Sequence, residues 1–181
     1  MTKKSKQIIL DAVTVIAAHE LNQWKSICNA HKVILPGTIV EDELFYFGEE
    51  NKTALCPSTW IEEKKVMRID ALIENYQKVS QKLSANFLLS IDRGEREALA
   101  ILLSDTSRFY FATSDMAPIR ALGALNLSSR GMSLEEILEG IGKNTKKPPL
   151  PIQYTKKWFQ QRISEGFRDS SIYLKNPKSP R

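Results

Sequence analysis

The apolar positions change period several times along the chain. "KQIILDA" (6–12) is a β-branched and leucine run, the pattern of a buried strand. "VTVIAAHELNQWKSICNAH" (13–31) sets Ile16, Leu21, Trp24 and Ile27 at helical spacing, and "KVILP" (32–36) reads as a second strand ended by Pro36. "TIVEDELFYFGEE" (38–50) predicts a helix with Val40, Leu44 and Phe47 along one side, stopped near Gly48. Residues 49–60 are turn-rich. Between 61 and 85, Val66, Ile69, Ile73, Tyr76 and Val79 form an apolar stripe that predicts one long amphipathic helix.

"REALAILLSD" (96–105) predicts a further helix, and "RFYFATSD" (108–115) a third strand. "MAPIRALGALN" (116–126) is a short helix with Pro118 in its first turn. "SLEEILEGIG" (133–142) opens with Ser133 and Glu136 in capping-box spacing and closes on glycines. "KNTKKPPLP" (143–151) reads as a stiff linker before a terminal helix in "TKKWFQQRISEGF" (155–167). Strands separated by helices of this length imply right-handed crossovers and a parallel sheet covered on both faces. No internal repeat is visible. Gly94 and Gly123 are isolated, so a nucleotide-binding fold of the Rossmann or P-loop kind has no motif support.

Composition narrows the class. The chain has 181 residues, 42% hydrophobic and 26% charged, which suits one compact domain with a tail and argues against wholesale disorder. Cys28 and Cys56 stand far apart without a CxxC and read as free thiols in a reducing cytosol. The opening "MTKKSKQIILDAVTVIAAHE" imitates a signal peptide, but Asp11 interrupts its apolar run. No stretch approaches the roughly 18 apolar residues of a membrane span. The expectation is a soluble, cytoplasmic protein without a membrane partner.

Net charge is +5, unevenly spread. Residues 143–181 hold ten Lys/Arg against two Asp/Glu, and residues 1–142 hold sixteen against nineteen. A mildly acidic body (1–142) thus carries a basic C-terminal tail (143–181). Such asymmetry suits an anionic partner such as nucleic acid, and equally a solvated, partly disordered tail.

Chemistry is concentrated in the acids. In an open parallel sheet, ligands collect at the carboxyl ends of the strands. Asp11 ends "QIIL" and Asp115 follows "FYFATS". Glu43 lies on the predicted helix after the second strand, and Glu97 in the first turns of the helix that follows "SIDRGE". Four carboxylates in one cavity repel each other, and a bound cation is the natural compensation. Ligation by oxygen alone points to Mg²⁺ or Mn²⁺. Singly, each acid is most simply a surface charge. Asp92 and Glu95 have the spacing of a capping box, which assigns Glu95 to the helix start, and Glu95 and Glu97 lie on opposite sides of a helix.

In order, these segments resemble the four motifs of PIN domains. "IILDAVTVIA" resembles the opening strand that ends in Asp, and "LPGTIVEDEL" the second motif, which maps to Val40, Glu43 and Leu44. "DRGEREALAI" resembles the third motif of bacterial PIN proteins related to VapC-type toxins, where the acid before the Ala-apolar-Ala run corresponds to Glu97. "FATSD" resembles the fourth motif, with Asp115 the metal-side acid and Thr113 the hydroxyl residue two before it. Many relatives carry another acid just after this motif, where Met116, Ala117 and Pro118 stand here. The resemblance covers residues 6–127.

What the resemblance implies is a three-layer α/β/α sandwich with a mostly parallel five-stranded sheet, its fifth strand expected at "LNL" (125–127). It further implies a metal-dependent endoribonuclease that hydrolyses RNA phosphodiesters. Asp11, Glu43, Glu97 and Asp115 would hold Mg²⁺ or Mn²⁺, with Thr113 orienting water. The family also suggests a homodimer and the toxin role of a toxin–antitoxin pair, with a small antitoxin protein as partner. The alternative is a catalytically weak PIN-fold protein that binds nucleic acid or a partner. In that case Trp158 and Phe159 would stack on bases, or "KKWFQQRI" would dock as an amphipathic helix on its own domain or on a partner. Arg93, Arg96 and Arg120 are candidate phosphate contacts, although each is most simply a solvated side chain.

Overall fold

The structure is a computed structural model that describes residues 5–44, 46–47, 53–104, 109–145 and 149–175. β1 (Gln7–Leu10) leads into α1 (Ala12–Glu20) and α2 (Trp24–Ala30), and β2 (Lys32–Pro36) into a π-helical turn at Ile39–Glu43. β3 (Tyr46–Phe47) and β4 (Thr53–Ala54) form a small antiparallel pair. α3 (Pro57–Glu62), β5 (Val66–Ile69), α4 (Ile73–Lys82), α5 (Ala85–Leu88) and α6 (Arg93–Ser104) follow. The second half holds β6 (Phe109–Ala112), α7 (Met116–Ala124), β7 (Gly131–Met132), α8 (Leu134–Gly140), α9 (Lys156–Arg168) and α10 (Ser170–Tyr173).

Five strands build one all-parallel sheet in the order β5-β2-β1-β6-β7. Its central strands are apolar on both faces, as a sheet covered on both sides requires. Ile8, Leu10, Val33 and Leu35 meet α1, α2 and α8 through Val15, Ile27, Leu134 and Ile137. Ile9, Ile34 and Phe111, the alternate positions, meet α4, α6 and α7 through Val79, Leu99, Ile119 and Leu122. The molecule is a three-layer α/β/α sandwich of the kind the sequence implies. Among the described residues no helix is long and apolar enough to cross a membrane.

Four elements differ from expectation. The long helix over 61–85 does not form as one piece: Val66–Ile69 is edge strand β5, paired with β2. An edge strand with Met67 43% exposed alternates weakly, and Val66 and Ile69 fall at a helical spacing by accident. The helix over 13–31 breaks at Asn22, whose φ of 55° lies in the left-handed region that Asn tolerates. Of the helix expected over 38–50, Ile39–Glu43 forms one π-helical turn with Leu44 buried after it and Tyr46–Phe47 is a strand, while its expected stop at Gly48 lies outside the described residues. The fifth strand is not 125–127, where Asn126 turns at φ 58°, but Gly131–Met132, paired with Phe111 and Ala112.

The C-terminal segment belongs to the sandwich rather than trailing from it. α9 packs along α7 with glycine facing backbone on both helices. A Cβ on Gly166 would lie 2.0 Å from the Arg120 carbonyl oxygen, and one on Gly123 2.2 Å from that of Ile163. Phe159 is buried in the core, and Arg120 pairs with Glu165 at 2.8 Å across the same contact. Beyond α10, the Lys175 N–H donates to the Lys82 carbonyl at 2.8 Å. Of the roles open to "KKWFQQRI", docking on its own domain is the one that buries Phe159.

Candidate metal centre

Neighbouring parallel strands deliver the two aspartates. β1 and β6 pair Leu10 with Ala112, so both chains leave the sheet at one level. Asp11 caps α1: its Oδ1 accepts the Thr14 N–H at 2.7 Å. Its Oδ2 is buried without a hydrogen-bond partner. Such an oxygen is costly unless protonated or bound to a cation. Burial pushes the Asp11 carboxyl up to about 6, and the Asp115 charge adds to this; the hydroxyls of Thr113 and Thr14 and the Thr14 amide pull the other way.

Asp115 precedes α7 without capping it, which leaves its carboxylate available. The Asp115 N–H donates to Thr113 Oγ1 at 3.1 Å, so the threonine fixes the turn that carries the acid and sits beside Asp11.

The third acid of the group is Glu95. Asp11, Glu95 and Asp115 each bring one carboxylate oxygen within 4.8 Å of the others. Glu95 also forms the capping box its spacing predicts. Its N–H donates to Asp92 Oδ1 at 2.7 Å, and its Oε2 accepts the Asp92 N–H at 3.0 Å. The cap does not keep the carboxylate at the surface, because α6 starts against the carboxyl ends of β1 and β6 and leaves Glu95 5% exposed. Burial pushes its pKa strongly up, with the charges of Asp92, Asp115 and Asp11 adding to the effect.

Glu97 lies outside this group. It is equally buried, but Oε2 accepts the Thr38 N–H at 2.8 Å and Oε1 the Ala71 N–H at 3.0 Å. It straps together the turns that follow β2 and β5. Glu95 caps the helix as its spacing predicts, yet it, and not the expected Glu97, is the glutamate grouped with Asp11 and Asp115. Two residues apart, the glutamates do face opposite ways, but the face turned to the acids is that of Glu95.

Glu43 stands next to the group. A Cβ on Gly94 would lie 2.6 Å from Glu43 Oε1, so glycine before Glu95 lets the two acids approach. Burial, with the charges of Asp92, Asp11 and Asp42 adding to it, pushes Glu43 up to about 7, although the Gly94 N–H opposes the shift. Of the arginines, Arg93 pairs with Asp42 at 3.4 Å and Arg96 donates to the Ile91 carbonyl, while Arg120 pairs with Glu165 and also lines the cleft beside Glu95 and Asp115.

Glu95 and Asp115 open into a cleft of about 570 Å³ that Asp92, Phe87, Arg120 and Tyr173 also line. Phe87 and Tyr173 pack with centroids 4.3 Å apart, so α10 supplies part of one wall. Three acids, two of them buried, one with an unsatisfied oxygen and no Cys or His among them, fit a hard divalent cation. Compared with known proteins, the chain matches no family model and no curated protein.

Proposed function

We propose that this protein is a PIN-like nuclease, a Mg²⁺- or Mn²⁺-dependent endoribonuclease that hydrolyses RNA phosphodiester bonds. The single observation that carries this reading is the buried Asp11 carboxylate, which has one oxygen without a hydrogen-bond partner and brings an oxygen within 4.8 Å of those of Glu95 and Asp115. A divalent ion there would supply positive charge to a phosphate oxygen and acidify an attacking water.

The chain's own groups have distinct tasks. Asp11, Glu95 and Asp115 would hold the ion, and Thr113 keeps Asp115 in place through its N–H. Glu43 stands beside them, where it could hold the ion's coordinated water or accept its proton. The Phe87–Tyr173 wall supports a strand with unpaired bases, since rings of this kind stack on bases regardless of sequence.

Incubation of an end-labelled single-stranded RNA with the full chain, with Mn²⁺ or with EDTA, tests the reading. Cleavage only with the metal, and lost in Asp11→Asn, supports it. Cleavage that survives EDTA, or none under either condition, removes it.

A further inference from the structure

A second concave site lies on the α1–α2 side of the sheet. The rings of His19, Trp24 and Trp60 meet in a triangle. His19 stacks on Trp24 at 5.0 Å and on Trp60 at 5.1 Å, and the two indoles lie 4.8 Å apart at 48°. Three elements contribute: the end of α1, the start of α2 and the middle of α3. His19 is eight residues beyond Asp11, about 12 Å along the helix axis, so this site is separate from the acids.

The rings wall a cavity of about 540 Å³, within the roughly 300–1,000 Å³ of small-molecule sites. Its rim carries Lys25, Lys65, Asn22 and Asn29, and no acid is among the described residues that line it. Lys65 also pairs with Glu63, but both are exposed and such a pair is weak. Lys65 lines the same cavity as Cys28. Asn22 holds the turn between the helices at positive φ, its N–H donating to the His19 carbonyl at 2.9 Å. Packing alone would account for Trp24, which is 6% exposed; it does not account for a cavity that half-buried His19 and Trp60 line together with two lysines and two asparagines.

We propose that this cavity binds a nucleotide, its base against the His19–Trp60 wall and its phosphate on Lys25 and Lys65. Flat rings select a planar ligand, ammonium groups an anion, and carboxamides the donor and acceptor edge of a base. The site does not depend on the metal centre.

Tryptophan emission reports on it directly. Titration of the full chain with AMP in EDTA should give saturable quenching, about tenfold weaker with adenosine, which lacks the phosphate. The exposed-residue double variant Lys25→Glu/Lys65→Glu should lose at least about tenfold in AMP affinity at an unchanged melting temperature. Asp11→Asn should bind AMP like the parent, which separates this site from the proposed nuclease centre. Competition by a single-stranded oligoadenylate would assign the cavity to a base within a strand, and its absence to the free nucleotide. No saturable quenching at millimolar AMP, equal binding of adenosine, or equal binding by the double variant would overturn the assignment.

Discussion

Asp11 and Asp115, 104 positions apart in sequence, bring carboxylate oxygens within 4.8 Å because β1 and β6 pair in parallel register through Leu10 and Ala112. The Asp11 N–H donates to the Ala112 carbonyl at 3.3 Å, which extends the ladder to the residue that carries the acid. Strand pairing thus creates the electrostatic problem, and Glu95 worsens it. Like charges this close cannot all stay ionised without compensation.

Asp11→Asn should therefore stabilise the metal-free protein near neutral pH while abolishing Mn²⁺-dependent RNA cleavage. The carboxyl titrates at about 6 in the fold against 3.8 as the reference, so its ionisation costs on the order of 3 kcal/mol above that range. Urea denaturation in EDTA measures it. A variant that is clearly less stable than the parent would mean that the buried Oδ2 carries no such cost.

The pH dependence has a definite sign. Asp11 and Glu43 have folded pKa values of about 6 and about 7, raised from 3.8 and 4.5. Their stabilising contribution is complete below about pH 4 and is lost as pH rises through the folded values. In EDTA these groups should lower the melting temperature from about pH 4 to about pH 7, and Mn²⁺ should reverse the fall by binding the ionised form. Thermal melts across that range, with and without Mn²⁺, check both curves. A Mn²⁺ effect as large at about pH 4.5 as at pH 7.5 would contradict it.

The two glutamates of α6 should separate cleanly. Glu97→Gln sets an amide NH₂ against one of two backbone N–H groups and should cost about 2 kcal/mol of stability, with Mn²⁺ uptake retained. Glu95→Gln should lose Mn²⁺ uptake with little loss of stability. Denaturation and metal titration of both variants decide the point, and the reverse pattern would return Glu97 to the site.

The legible parts of the molecule were those with local causes. Strands β1, β2 and β6 are apolar runs buried on both faces, and the capping box at Ser133 and Glu136 forms as its spacing predicts. Asp11 and Asp115 follow from their positions at strand ends. What escaped depends on distant partners. β7 is two residues long, β5 is a half-exposed edge, and Glu97 is distinguished from Glu95 only by the amides of Thr38 and Ala71. Gly94 was a usable signal for Glu95: a glycine opening a helix beside an acid marks a close approach, here by Glu43. The docking of α9 was among the readings of the segment that holds Phe159, but Gly166, whose missing side chain lets α9 reach the Arg120 backbone, gave no local sign of it.

Gly166→Ala should destabilise the protein by about 1–3 kcal/mol or more, because its Cβ would fall 2.0 Å from the Arg120 carbonyl oxygen, a rigid backbone atom. Truncation before Thr155 should be worse, since it uncovers the core at Phe159. Chemical denaturation of both measures the effect. A truncated chain that melts like the parent would show that the C-terminal segment is dispensable to the sandwich.

Titration calorimetry of the full chain with Mn²⁺, at about pH 7.5 where binding to the ionised acids is favoured, addresses the metal centre most directly. Saturable uptake that disappears in Asp11→Asn and in Glu95→Gln, and persists in Glu97→Gln, is the predicted result. Absence of uptake by the parent, or uptake unchanged by Asp11→Asn, would contradict it.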